Sequence, residues 1–232
     1  MSLLTLLQDA AVKAGMPRPV SIVGSNDPNA PLLLSLANQE GSELARRHDW
    51  QVLIVQHIFT TTASEEQPSA LPADYDRLVY GAEVWDRSIN QKLTGPTSPA
   101  QWMELKSAPG AGVTGWWRMI GGKLNIFPAP AAGKVCALEY VSSNWAQSAL
   151  SAPQTQFLAD GDTAKISERL ITLGVAWRWK RAKGFDYAEE MATYERELER
   201  AASRDGGIGV LRPTRWRESD AGWATWPGVI TP

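Results

Sequence analysis

Apolar residues recur at helical spacing at both ends of the chain. In residues 2–14 leucines and alanines return every three or four positions, which predicts a short amphipathic helix that ends at Gly15. A second stripe follows a Ser-Asn-Asp-Pro turn that can cap a helix, and it continues to about Asp49. Two more stripes, separated by Gly184, predict helices within residues 160–204.

Between these helical ends the pattern favours β-strands. Residues 51–62 are rich in β-branched side chains and predict a strand. Residues 116–120 and 123–127 flank Gly121-Gly122, a pair that supplies the positive φ angles of a tight hairpin turn. Residues 135–141 predict a further strand that pairs after this hairpin. Shorter runs predict two small strands, at 78–80 and 83–85, and one or two helical turns at 98–106.

The order of these elements predicts an α+β fold. We expect the N- and C-terminal helices, from residues 1–49 and 162–204, to pack together as one helical domain. Residues 50–161 then form an inserted antiparallel β domain. Residues 205–232 contain five glycines and three prolines without a sustained period, so we expect an extended C-terminal tail.

Three of the 11 tryptophans lie in this tail. Trp216, Trp223 and Trp226 are large apolar side chains in a segment too broken to build its own core. Exposed aromatic residues of this kind mark docking surfaces. We therefore predict that the tail binds a partner through these tryptophans and through Arg212 and Arg215.

Net charge, cysteine count and apolar run lengths exclude several classes of function. The 232 residues carry a formal net charge of -2, so no global basic field drives binding to nucleic acid or to a membrane surface. The single cysteine, Cys136, excludes an intrachain disulfide and a multi-cysteine zinc site, and we expect it to be a small buried strand residue. No signal-peptide pattern and no apolar run of about 18 residues is present, which indicates a soluble protein without a membrane span.

Candidate chemistry is sparse. Residues 110–115 match a dinucleotide-binding glycine motif, but Pro109 precedes it and a predicted strand follows, so we interpret it as a flexible loop. Asp160 and Asp162 match a fragment of a calcium loop that lacks its closing glutamate. The interpretation we prefer is a helix that begins here, with Asp162 or Thr163 as its N-cap.

The two histidines, His48 and His57, have no partner at metal-ligand spacing. His48 could satisfy the last carbonyls of a helix, and His57 lies on a predicted strand. No nucleophile-elbow motif is present, although a Ser–His–Asp set that meets only in space stays open. We predict no catalytic residue, no cofactor and no metal site, and therefore a protein that is not an enzyme.

Several motifs together resemble those of one known family. They are Leu-Pro-Ala-Asp-Tyr-Asp-Arg at 71–77, Trp-Arg-Met-Ile-Gly-Gly-Lys-Leu-Asn-Ile-Phe-Pro-Ala-Pro at 117–130, Leu-Glu-Tyr-Val-Ser at 138–142, and the segments 157–162, 173–180 and 184–187. In this order and spacing the chain resembles the head-to-tail adaptors, or connectors, of tailed phages, a family that includes tail tubular protein A of short-tailed phages. The resemblance covers most of residues 30–205, and the tail after Gly207 departs most from it.

This resemblance implies a structural subunit of the virion at the portal–tail junction. It implies a ring of twelve copies that joins the portal protein to the tail tube or nozzle protein, with the β part facing the next tail component. The ring would surround a channel through which DNA passes without sequence-specific binding. The resemblance also implies that the C-terminal extension grips the portal or a neighbouring subunit, and that assembly takes place in the bacterial cytoplasm without a membrane.

Two other function classes compete with the adaptor. Basic and aromatic residues interleave at Trp177, Arg178, Trp179, Lys180, Arg181 and Lys183. This run resembles a DNA-binding patch, but we prefer a helix that buries its tryptophans under Arg and Lys stems, because that interpretation fits the net charge better. Abundant tryptophan also suits a carbohydrate-binding or glycan-cleaving virion protein, but no carboxylate pair stands out.

We predict that the free protein is monomeric and that its tail orders only on assembly. Burying three tryptophans stabilises less than ordering the backbone of residues 216–232 costs, so a single tail docks weakly. In a ring many tails bind at once, and the high effective concentration of each tail near its site supplies the remaining binding free energy. Amide exchange of the isolated protein should therefore be fast across residues 216–226, and strong protection there would contradict the prediction.

Overall fold

The computed structural model describes residues 1–107 and 115–206. Within these ranges the chain has the α+β fold that its sequence predicts, with helices at both ends and antiparallel strands between them. The helices are α1 (Leu3–Lys13), α2 (Ala30–Arg47), α3 (Pro99–Ser107), α4 (Glu168–Lys183) and α5 (Ala188–Asp205), with a 3₁₀ turn at Gln51–Leu53.

The described strands form three sheets. They are β1 (Ile54–Thr60), β2 (Glu66–Gln67), β3 (Tyr75–Leu78), β4 (Trp85–Asp86), β5 (Gln91–Lys92), β6 (Trp116–Ile120), β7 (Lys123–Phe127), β8 (Val135–Ser142), β9 (Ala146–Gln147), β10 (Pro153–Gln154) and β11 (Thr163–Ala164). The largest sheet has the order β1–β8–β4–β5, and β3 also pairs with β8. The other two have the orders β2–β7–β6 and β10–β9–β11.

One apolar core lies among the helices. α4 packs against α1, α2 and α5, and side chains such as Leu7, Leu44 and Ile171 are fully buried there. The segment between β8 and α4 contributes Trp145 and Phe157, whose rings meet edge to face at 4.9 Å. The helical core therefore depends on side chains from outside the helices.

A second apolar core is shared by the two larger sheets. Phe59 and Leu138 come from the sheet of β1 and β8, and Trp117 and Leu124 come from the hairpin of β6 and β7. Alternate residues of β6, β7 and β8 enter this core, as expected for sheets with one packed face. The domain boundaries drawn from the sequence stay a prediction.

The predicted glycine hairpin is confirmed. β6 and β7 pair up to Ile120 and Lys123, and the connecting Gly121 and Gly122 have φ angles of 58° and 74°. The strand predicted at 135–141 is also present as β8, but its predicted pairing after the hairpin is wrong. β8 pairs with β1 on one side and with β3 and β4 on the other. Six of its eight side chains are buried, and the two exposed ones, Val135 and Glu139, lie on the same face.

The helix start predicted at Asp160–Thr163 is wrong. The Asp162 carboxylate accepts hydrogen bonds from the backbone N–H groups of Leu158 (2.6 Å) and Ala159 (2.8 Å), which closes a turn before β11. α4 begins only at Glu168. A short aspartate side chain can cap a turn as readily as a helix, and the sequence does not separate the two roles.

The remaining boundaries differ by a few residues. The predicted strand at 51–62 opens with the 3₁₀ turn and then continues as β1. The small strands predicted at 78–80 and 83–85 lie at Tyr75–Leu78 and Trp85–Asp86. The helices predicted at 2–14, at 98–106 and on both sides of Gly184 are confirmed, and Gly184 ends α4 in the left-handed conformation with φ 76°.

Two glycines let segments approach closely within the helical core. A Cβ atom at Gly41 of α2 would overlap the ring of Trp145. A Cβ atom at Gly174 of α4 would overlap the side chain of Glu40. Only a residue without a side chain fits either position, because the neighbouring groups are fully buried and have no room to move.

We predict that Gly41→Ala destabilises the protein. Helix propensity alone would favour alanine by about 1 kcal/mol, but overlap with Trp145 costs roughly 1–3 kcal/mol or more. The expected net result is a fall of several degrees in the thermal unfolding midpoint, measured by circular dichroism. The matched control is Gly206→Ala, where nothing lies within 4 Å of the new Cβ and φ is -83°. An unchanged midpoint for Gly41→Ala would contradict the packing argument.

Candidate assembly surfaces

The residues that the sequence singles out for partner binding lie outside the described part of the chain. They are Arg212, Arg215, Trp216, Trp223 and Trp226, all within residues 207–232. Residues 110–114 of the glycine motif also lie outside it. The described residues do show where in the fold the chain leads into the tail.

The tail starts where α5 ends, beside the start of β1. The Asp205 carboxylate accepts a hydrogen bond from the backbone N–H of Gln51 at 2.7 Å and lies 3.4 Å from Nε2 of His48. Gly206, Gln51 and Ile54 line one depression of about 480 Å³. The chain beyond Gly206 therefore continues from a point where the helices meet the largest sheet.

Arg77 closes the C-terminal end of α2. Its Nη2 donates hydrogen bonds to the carbonyl oxygens of Ala45 (3.0 Å) and His48 (3.1 Å), and its Nε donates to Asp49 (3.0 Å). A cation at this position satisfies carbonyls that have no partner within the helix, and it complements the helix dipole. Arg77 thus has the role that the sequence suggested for His48, whose ring lies near Asp205 instead.

Asp74 ties the turn before β3 to the central strand. Its carboxylate accepts hydrogen bonds from the Tyr140 hydroxyl (2.9 Å) and the Ser142 hydroxyl (2.6 Å), and its carbonyl accepts one from the Ser143 backbone N–H (2.8 Å). Burial acts to raise the pKa of Asp74, but these two hydroxyl donors outweigh it and the pKa is lowered. With Arg77, the turn joins the sheet to α2.

A buried ion pair joins α2 to α4. The Nε of Arg178 donates to the Glu40 carboxylate at 2.6 Å, and the Glu40 side chain is 0% exposed. Burial raises the pKa of Glu40, although Tyr194 and Arg178 beside it act in the opposite direction. Arg47 extends the cluster to α5, because its guanidinium contacts both carboxylate oxygens of Glu195 at 2.9 Å.

The basic and aromatic run on α4 does not present its aromatic rings to a partner. Trp177 and Trp179 are buried, and the Arg178 guanidinium lies 4.7 Å from the centre of the Trp177 ring. Lys180 pairs with Glu190. The interpretation of this run as a helix that buries its tryptophans is therefore confirmed.

Tryptophans in the described part of the chain are mostly core residues. Six are buried and the other two, Trp85 and Trp116, are half-buried. A sugar-stacking site needs an exposed ring face, which the six buried tryptophans do not provide. The large tryptophan count reflects packing in this part of the protein.

The remaining candidates for chemistry have structural roles. Cys136 is buried in β8, as predicted, and burial and the nearby Asp86 charge raise the pKa of its thiol to about 11. Asp160 accepts hydrogen bonds from backbone N–H groups of the 20–23 loop, and the His57 ring contacts the Ser69 carbonyl oxygen at 3.0 Å.

Within residues 1–107 and 115–206, no three His, Cys, Asp or Glu side chains could hold a metal ion. No helix in these ranges is long and apolar enough to cross a bilayer.

The solvent-facing side of the largest sheet carries an open groove of about 600 Å³. Trp85 and Ala137 form part of its apolar floor, and Glu83, Arg87 and Glu139 provide charges at its border. Glu83 is already paired with a lysine of β5. This shallow surface of mixed charge resembles a contact area between proteins more than an enclosed ligand site.

The sequence model of the SU10 adaptor protein family matches residues 1–223. The chain belongs to the SU10 adaptor protein family. This is a phage head-to-tail adaptor family, so the resemblance seen in the motifs is confirmed and the protein is a structural adaptor of a phage virion. Among curated proteins, none matches the chain. The family match extends through Trp223 and ends before Trp226.

Sequence reasoning missed two residues that hold the adaptor together. Arg77 stands out in the sequence only as part of a motif, because a helix cap supplied from 29 and 32 positions away leaves no local pattern. Glu40 lies on an apolar stripe and its partner is 138 positions further along the chain. The sequence does place the charged Glu40 on the apolar face of a predicted helix. Because a buried charge needs a partner, this position was the signal that could have indicated a buried ion pair.

We predict that Asp74→Asn lowers the free energy of unfolding by about 1.5–3 kcal/mol at pH 7, because two hydroxyls lose a charged acceptor. The pKa of Asp74 is lower in the folded protein than its ordinary value of 3.8. Its contribution is therefore complete above about pH 4 and is lost as the pH falls through the folded pKa. Thermal unfolding of both proteins should show a difference that narrows towards pH 3.

Asp76→Asn is the matched control for this prediction. Asp76 is the next carboxylate along the chain, at the start of β3, and it pairs with Arg77 at 2.6 Å in a partly exposed position. Exposed pairs contribute about 0–1 kcal/mol, so this variant should unfold close to the wild type. An Asp76→Asn loss as large as that of Asp74→Asn would assign the effect to general charge removal.

Proposed function

We propose that the adaptor forms a ring of twelve subunits that joins the portal protein to the tail tube or nozzle protein. DNA passes through the channel of this ring without sequence-specific binding. The free subunit is a monomer, and the ring forms at the portal–tail junction of the virion during assembly in the bacterial cytoplasm. The protein has a structural role and performs no catalysis.

One observation carries this proposal most directly. The match to the adaptor family spans residues 1–223, so it includes the helical part, the sheets and most of the tail. A family of head-to-tail adaptors contributes to a junction between two assemblies, and a symmetric ring is the usual way for copies of one chain to surround a channel. The resemblance of the motifs points to the same arrangement.

The tail is the segment that we assign to partner binding. Arg212, Arg215, Trp216 and Trp223 lie within the family match, and Trp226 follows it. Tryptophan and arginine are the residues that most often dominate the energy of protein interfaces. Twelve tails on one ring add their contributions, so each contact needs only modest strength. The partner of the tail is the portal protein or the neighbouring subunit.

The near-neutral charge of the protein suits a channel through which DNA passes. The formal net charge is -2, and the described tryptophans are buried or half-buried rather than available to stack on bases. A strongly basic lining would hold the phosphate backbone, whereas a near-neutral protein lets it move. This supports passage of DNA without retention.

The central experiment mixes the full-length protein with the portal protein of the same phage and examines the mixture by electron microscopy. Rings seated on the portal are the expected result. Absence of rings together with retention on glycans would overturn the proposal in favour of a carbohydrate-binding protein. Salt-dependent DNA retention that is lost when Arg178, Lys180 and Arg181 are neutralised would overturn it in favour of a DNA-binding module.

We predict that Trp216→Ala and Trp223→Ala each weaken binding to the portal, or between subunits, by about 30-fold. Removing an interface tryptophan that dominates binding costs about 2 kcal/mol or more. The measurement is the affinity of the free adaptor for immobilised portal and the fraction of portals that carry a ring. Ser219→Ala, in the same tail, is the control and should bind as the wild type does. Rings that form normally when all three tail tryptophans are replaced would contradict the assignment.

A further inference from the structure

One edge of the largest sheet is open in the described part of the chain. β1 lies at the end of the strand order and pairs only with β8 among these residues. Thr61, directly after β1, donates its backbone N–H to the Lys134 carbonyl at 2.8 Å. Since backbone groups alternate along a strand, the even-numbered residues of β1 direct their N–H and C=O groups to the open edge.

Gln56 and Ile58 have open backbone groups at the middle of this edge. The described residues provide no hydrogen-bond partner for the N–H and C=O of either residue. At one end, the Thr60 carbonyl accepts a hydrogen bond from the Ser69 hydroxyl at 3.1 Å. At the other, the Ile54 N–H bonds to the Gln51 carbonyl within the 3₁₀ turn. The open part is therefore a short, defined stretch.

The chemistry of β1 does not protect its edge. Its sequence, Ile-Val-Gln-His-Ile-Phe-Thr, contains no lysine, acid or proline. Val55 is 39% exposed, Ile58 is 52% exposed and Val52, just before the strand, is 51% exposed. Natural proteins protect edge strands with charges, prolines or bulges, or cover them with another segment. Because β1 lacks the first three devices, we expect a covering segment.

The continuation of the chain starts close to the N-terminal end of β1, at a depression that Val79 and Tyr80 also line, and it has suitable chemistry. Gly206 shares a depression with Gln51 and Ile54 at the start of β1. The following residues, Gly-Ile-Gly-Val-Leu-Arg at 207–212, have two β-branched side chains and no charge before Arg212. Pro213 has no N–H to donate to a sheet. Five residues span about 17 Å, which is the length of the open stretch from Ile54 to Ile58.

We propose that residues 208–212 add to the largest sheet as a strand parallel to β1 in the same subunit. This proposal limits the prediction that the tail orders only on assembly to the residues that follow Pro213. The direction follows from the starting point, because the segment leaves Gly206 at the N-terminal end of β1. Pro213 ends the strand, so the part of the tail that carries the tryptophans begins near the C-terminal end of β1. This last consequence rests on the proposed function, whereas the strand pairing does not.

Amide exchange of the isolated full-length protein tests the pairing. The expected result is exchange at least about tenfold slower in residues 208–211 than in residues 216–226, together with protection of Gln56 and Ile58. Because alternate amides face β1, Val210→Pro and Leu211→Pro are both made, and at least one must release the protection. Thr225→Pro is the control and should leave it intact. Equally fast exchange in 208–211 and 216–226 would overturn the proposal.

A disulfide test identifies the chain that supplies the strand. The variant with Gln56→Cys and Val210→Cys should form an intramolecular bond and run as a monomer on a non-reducing gel. The native Cys136 is buried with a pKa of about 11, so it stays out of the reaction. The pair Gln56→Cys and Ala224→Cys is the control and should not link. Linked dimers and larger species, or equal linking of the control, would overturn the proposal.

The two proposals fail separately. Loss of portal binding in the tail tryptophan variants with full protection of residues 208–211 would leave the strand pairing intact. Normal rings on the portal with unprotected 208–211 would remove the strand pairing and leave the adaptor ring intact.

Discussion

The buried contact between Glu40 and Arg178 is the interaction on which the helical part depends. A carboxylate that is 0% exposed is tolerated only with a close partner, and Arg178 provides one at 2.6 Å. The contact fixes the rotation of α2 against α4, because Gly174 must face the Glu40 side chain and no larger residue fits there. Removing one partner alone would leave a buried charge, which typically costs about 3–5 kcal/mol.

Polar contacts at the ends of α2 and α5 connect the helical part to the largest sheet. α2 ends under the guanidinium of Arg77, whose own turn is held on β8 through the hydrogen bonds of Asp74. α5 ends at Asp205, which accepts a hydrogen bond at the start of β1. Two polar links therefore connect the helices to the largest sheet, one before β3 and one before β1. Both lie near Gly206, where the described part of the chain ends.

Periodicity was enough to predict the α+β class, all the long helices and the Gly121-Gly122 hairpin, because each depends on neighbours within a few positions. Pairing of β8 and the roles of Asp162 and Arg77 were not predictable in this way. Each depends on a side chain that finds its partner across the fold, and a turn cap and a helix cap use the same residue type. The assignment of the tail residues to partner binding rests on the sequence alone, and the family match includes them through Trp223.

The function that the tryptophans indicate depends on where they lie in the chain. Eleven tryptophans suggested sugar stacking or DNA stacking as readily as assembly, but the eight in the described residues are mainly core side chains. The three that remain lie within residues 205–232, a segment of five glycines and three prolines without a sustained apolar period. An aromatic residue without a core in its own chain gains stability only where a partner buries it. Under the proposed function that partner is a neighbour in the virion, and the strand proposed at residues 208–212 would set the point from which these residues reach it.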